Sequence, residues 1–156
     1  MNNVLLHDIS KEQVRKYEAD GAICIRGQFD QEWIDRMLAA GIGHINNPSG
    51  RRGIVDDEGD PGRFITGTHM SRFNDEFLEF AFRSPAAQIA ARLMRLDEVR
   101  FFYDQLFIKD PGTLAPTAWH NDLPFWPFDG NHIASVWIAC TPVSLETSGL
   151  VYVAGS

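Results

Sequence analysis

The apolar pattern changes period in the middle of the chain, and that change constrains the fold more than any single motif. Up to residue 94, apolar residues recur every three or four positions; from residue 99 they come in β-branched and aromatic runs. Helices first and strands afterwards do not build a βαβ array. They build an α+β fold, with N-terminal helices packed on a sheet or barrel.

The helical part has clear punctuation. Ser10 with Gln13 three residues on is a capping box, and Gly21 ends the helix that it opens. "AICIR" (22–26) reads as a short strand. A second helix is predicted over 31–45, with Trp33, Ile34, Met37, Leu38 and Ile42 on one face. The stretch "NNPSGRRGIVDDEGDPGRF" (46–64) is rich in Gly, Pro and charge and reads as a long loop, either a lid or plain surface. Asn74 caps a helix running to residue 83, with Phe77, Leu78, Phe80 and Ala81 inward. Ser84 and Pro85 open another, whose apolar stripe is Ile89, Ala90, Leu93 and Met94.

Strands are predicted from there on. Residues 99–109, "VRFFYDQLFIK", form one, and "DPGTLAPT" (110–117) is a loop. "WHND" leaves that loop as a short strand. "HIASVWIACTPV" (132–143) reads as a buried strand, "ETSGL" as a turn, and "VYVAGS" (151–156) as the start of a further strand. The expectation is one domain of 156 residues, helical over about 1–96 and sheet-forming over about 97–156.

Charge and composition remove several function classes. A net charge of −7 argues against nucleic acid, which needs a basic face, and against anionic membrane surfaces. The opening "MNNVLLHDISKEQ" has no basic segment followed by an apolar run, and no stretch is long and apolar enough to span a bilayer, so a cytoplasmic chain is expected. Cys24 and Cys140 are too few for a disulfide framework and sit in apolar runs, which favours packing over reactivity.

One segment stands apart: "WHNDLPFWPFDG" (119–130), with two Trp, two Phe and two Pro around His120 and Asp122. On a strand, residues i and i+2 share a face, so this imidazole and carboxylate can reach one ion, and the pair suits Fe(II), Mn(II) or Zn(II). The spacing alone is a weak signal. With five histidines and thirteen aspartates in 156 residues, a chance His-x-Asp is expected about 0.4 times. A surface pair at a turn is the plain alternative. A zinc hydrolase is a weaker one, since no further histidines or general base stand at a recognised spacing.

The surroundings narrow this. "FFYDQLFIKDPGTLAPTAWHNDLPFWPFDGNHIASVWIACTPV" followed by "SGLVYVAGS" resembles the phytanoyl-CoA dioxygenase family, from about Arg63 to the last residue and most closely from Phe101. The resemblance implies a double-stranded β-helix, jelly-roll or cupin-like, which the chain contains incompletely. It implies a non-haem dioxygenase that uses Fe(II), with 2-oxoglutarate and O₂ as co-substrates, to hydroxylate a small organic molecule at an unactivated C–H. His120 and Asp122 are then two of the three metal ligands. The carboxylate favours hydroxylation, because related halogenases lack it and leave that position to halide.

Other roles follow from the same resemblance. Gln105 and Lys109, four residues apart on one strand face, are candidates for 2-oxoglutarate or substrate, Lys109 for a carboxylate. A solvated strand-end lysine is the alternative for the latter. Trp137 is a candidate neighbour of the co-substrate or a core residue. Trp119, Phe125, Trp126 and Phe128 are candidates for a dry aromatic wall around the site, or for packing. His7, His44, His69 and His132 match no ligand of the family; His69 and Arg72, in "THMSR", are candidate substrate contacts from the lid side. The third ligand, a distal histidine, and the arginine for the far carboxylate fall beyond residue 156. The chain by itself is therefore expected to be inactive, with exposed sheet edges that favour self-association. The competing reading is a non-catalytic β-helix binding domain that holds metal weakly or not at all.

Overall fold

The computed structural model describes residues 1–48, 50–55, 61–114 and 116–156. Four helices come from the predicted segments: α1 (Lys11–Asp20), α2 (Gln31–Asn46), α3 (Asp75–Arg83) and α4 (Ala86–Met94). Their ends follow the sequence signals. The Ser10–Gln13 capping box is formed in both directions, and Gly21 takes the left-handed conformation (φ 77°) that closes α1. Asp30 and Asn74 accept backbone N–H bonds at the starts of α2 and α3. Ser84 Oγ accepts from Ala86 N at 3.3 Å, ahead of α4.

Three strands form one antiparallel sheet in the order β1 (Arg51–Val55), β2 (Phe64–Thr68), β3 (Gln105–Lys109). β1, with the first residue of β2, corrects the reading of 46–64 as loop. The rest of β2 was not read as a strand, because its inward face is Ile65 and Gly67, both buried, and a glycine leaves no apolar side chain to count. A Cβ on Gly67 would lie 2.5 Å from Met70 Sδ and 3.4 Å from His44 Nε2, so only glycine lets α2 and Met70 come this close. Residues 56–60 of that expected loop lie outside the described residues.

Helix α2 carries the sheet. Leu106 and Ile108 of β3 lie 3.6 and 3.9 Å from where a Cβ on Gly41 would be. Met37, Ala40, Met70 and Phe77 form a core cluster, with Phe80, Leu106 and Cys140 packed against it. Burial pushes the Cys140 thiol pKa up, which fits its packing role. Leu78 and Ile42, expected inward, are 42% and 50% exposed, the described residues leaving those flanks of their helices open.

Arg36 on α2 bonds Glu76 and Glu79 on α3, tying these helices together. The Arg36 guanidinium holds the Glu79 carboxyl pKa below the ordinary glutamate value. A depressed carboxyl pKa contributes stability that is present above the ordinary value and lost as pH falls through the lowered one. The stability gap between wild type and Glu79→Gln, measured by urea unfolding, should therefore be widest at neutral pH and close below the glutamate range. A gap independent of pH would mean that the pair contributes nothing through its charge.

Beyond Lys109, the described residues add no strand. This corrects the strands expected at 119–122, 132–143 and 151–156; "AICIR" and residues 99–104 likewise fall outside the sheet. A strand exists only where a ladder partner lies beside it, and these segments have none among the described residues. The turn at "ETSGL" does form, as a 3-10 turn at Leu145–Thr147 with Ser148 left-handed. Among the described residues, the buried apolar core lies at or before Leu93. The accessible surface of 10,949 Å² exceeds the roughly 7,900 Å² of a compact monomer of this mass, and Val143, Leu145, Leu150, Val151, Tyr152 and Val153 are among the exposed apolar side chains. The result is an α+β arrangement of helices and a small open sheet, two of whose strands precede residue 96. No helix among the described residues is long and apolar enough to cross a membrane.

Candidate metal and co-substrate site

His120 and Asp122 come together, though not on a strand. Asp122 has helical dihedrals (φ −70°, ψ −33°) and starts a 3-10 turn over Leu123–Phe125. The turn is closed by Phe125 N to Asp122 O at 2.9 Å and by Leu123 N to the Asn121 side-chain oxygen at 3.0 Å. The turn swings the Asp122 carboxylate back, so that Oδ1 lies 3.1 Å from His120 Nε2. On the other side of the imidazole, Nδ1 is 2.8 Å from the Ala118 carbonyl. A carbonyl only accepts, so Nδ1 carries a proton; in the neutral ring the lone pair is then on Nε2 and faces the carboxylate.

A proton on Nε2 or a cation between the two atoms satisfies this contact. A lone pair against a carboxylate oxygen at 3.1 Å is repulsive unless a proton or a cation lies between them. Two donors bound about 2.1 Å from one octahedral ion, at right angles, are themselves about 3 Å apart. The pair is spaced as two neighbouring ligands would be, and a backbone carbonyl orients the imidazole as in known metal sites. Both side chains are about half exposed. No cluster of three His, Cys, Asp or Glu side chains suited to a metal occurs among the described residues.

The aromatic residues divide. Trp126 donates its indole N–H to Tyr103 Oη at 3.3 Å, and its ring lies 5.9 Å from Phe128. Phe128 meets Phe102 edge-on at 4.7 Å, and Phe102 meets Tyr103 at 5.1 Å. These four rings close a circuit that pins residues 126–128 to 102–103. Trp119 and Phe125, in contrast, are 72% and 79% exposed. Trp137 is partly exposed, three residues before the packed Cys140.

Gln105 and Lys109 do share a strand face. In register they stand opposite Thr68 and Phe64, on the side away from α2, and the Lys109 ammonium sits 4.9 Å over the Phe64 ring. Tyr152 was not singled out from the sequence. Its phenol pKa is raised, first by partial burial and then by the Asp122 charge. Phe102, Tyr103 and the brace around Asp104 were also missed, although "FFYD" is the densest aromatic run before the His-x-Asp segment.

A helical layer thus packs on a small antiparallel sheet, and a His-x-Asp pair is set in an aromatic-rich loop. The family model described as phytanoyl-CoA dioxygenase (PhyH) matches residues 17–156, and the chain belongs to that family. No curated protein and no solved structure matches the chain.

Proposed function

We propose that the chain is part of an Fe(II)- and 2-oxoglutarate-dependent hydroxylase with His120 and Asp122 as two of its three protein ligands. The supporting observation is the His120 imidazole, oriented by Ala118 O so that Nε2 faces Asp122 Oδ1 at 3.1 Å. When bound, iron would couple oxidative decarboxylation of the keto acid to oxygen insertion at a substrate C–H. His120 and Asp122 would hold two neighbouring positions, and the carboxylate would offset part of the metal's charge. A distal histidine and an arginine for the far carboxylate would complete the site in the whole enzyme. Lys109 and Gln105 would face a co-substrate from the open side of β3, the side that a double-stranded β-helix would enclose. Trp126 and Phe128 would keep water from one flank.

One observation favours the second reading, a binding domain without catalysis. The described residues hold only two donors, half exposed, at a distance that a single proton also satisfies. Anaerobic titration with Fe(II) and 2-oxoglutarate separates the two. The hydroxylase reading expects the weak metal-to-ligand absorption band of the ternary complex, and its loss in His120→Ala. A band that survives His120→Ala in an extended protein carrying the distal histidine and arginine, or no metal-dependent signal from that protein at any concentration, rejects it.

A further inference from the structure

His69 is held in an uncommon way next to the aromatic circuit. Its backbone is left-handed (φ 57°, ψ 37°), a region that strains an L-residue although histidine enters it more often than most. Three bonds from the start of β3 fix it there. The Asp104 carbonyl accepts from His69 N at 2.9 Å, and the Asp104 carboxylate takes both Ser71 N, at 2.9 Å, and Ser71 Oγ, at 3.0 Å. The turn closes with Arg72 N on His69 O at 3.0 Å. The imidazole lies 5.4 Å from the Tyr103 ring, whose hydroxyl holds Trp126.

The Asp104 brace would hold a glycine at position 69 equally well, because every bond it makes at that residue is to backbone. Glycine would also remove the strain. The brace therefore makes no use of the imidazole, whose ring neighbour is Tyr103. Arg72 ends the same turn with an exposed side chain. We infer that His69 and Arg72 form a substrate-recognition site for a carboxylate, with the apolar body of that molecule lying along Tyr103, Trp126 and Phe128. An imidazole N–H and a guanidinium fork are donors suited to a carboxylate, and the rings offer it partly exposed apolar faces. This assignment deepens the hydroxylase reading and rests on it for the word substrate, but the binding itself does not require iron.

The test uses the chain labelled with ¹⁵N and follows the Trp126 indole signal during titration with 3-phenylpropionate, and with its neutral analogue 3-phenylpropanamide. Wild type should show a saturable shift with the acid and a much weaker one with the amide. His69→Gly should unfold at the same or a higher temperature than wild type, yet bind the acid at least 10-fold more weakly; Arg72→Gln should also weaken it. Equal binding of acid and amide, or His69→Gly binding the acid within twofold of wild type, overturns the assignment. A lower unfolding temperature in His69→Gly also overturns it, since the imidazole would then serve the fold. Parallel Fe(II) and 2-oxoglutarate titrations on His69→Gly should match wild type. The same titrations on an extended protein carrying the distal histidine and arginine separate the two readings: failure there, with acid binding still dependent on His69, rejects the oxygenase reading and leaves this one standing.

Discussion

Asp122→Ala should abolish product formation in the complete enzyme and weaken Fe(II) binding at least 10-fold. The fold gives no reason to expect unfolding. The Asp122 side chain makes no capping bond to its turn, which is closed by the Asp122 carbonyl and by Asn121. Alanine keeps the backbone and removes only the carboxylate that faces His120 Nε2. Asp122→Glu is the sharper variant. One methylene moves the oxygen by about an ångström, and such a displacement of a reacting group costs on the order of 10²-fold in rate. Circular dichroism should be unchanged in both variants, while iron stoichiometry and hydroxylated product are measured without added halide. Full turnover by Asp122→Ala with iron in excess would remove the carboxylate from the ligand set.

The pair illustrates what was legible and why. Spacing predicted that His120 and Asp122 converge, and they do, but through a 3-10 turn and not through strand alternation. The pattern i, i+2 is compatible with both geometries, and two prolines nearby favour the turn. Helix ends were readable because caps are local chemistry: Ser10, Gln13, Gly21 and Asn74 act within a few residues of themselves. Strands are different. The residues at 132–143 and 151–156 have strand-like side chains, but their period says nothing about whether another strand lies beside them. The β1–β2 hairpin failed in the opposite sense. Its pairing is real, while its sequence signal is diluted by Gly53 and Gly67. The partners of Trp126 and Phe128 were not legible: they are Phe102 and Tyr103, which belong to a segment read only as strand.

The largest expected loss of stability lies at Trp33, on the helix that seats the sheet. Its side chain is 1% exposed. The indole N–H donates to Asn2 O at 2.7 Å, and the ring meets Phe80 edge-on at 5.2 Å with the Arg36 guanidinium 5.7 Å from its centroid. One side chain thus joins the N-terminal segment, α2 and α3. Trp33→Ala removes that volume and leaves the Asn2 carbonyl without its donor, which together should cost about 3–5 kcal/mol. Domains of this size hold roughly 5–15 kcal/mol in all, and a core confined to residues 14–93 puts this chain towards the low end. The unfolding temperature should fall by about 10 °C or more. Trp33→Phe should lose less, since it keeps the contact with Phe80 and gives up the Asn2 bond. The effect should reach the sheet, because α2 also presents Gly41 to Leu106 and Ile108, and His44 to Gly67. Thermal unfolding followed by circular dichroism measures it, and a midpoint for Trp33→Ala within 2 °C of wild type would mean that α2 is not what holds β3 in place.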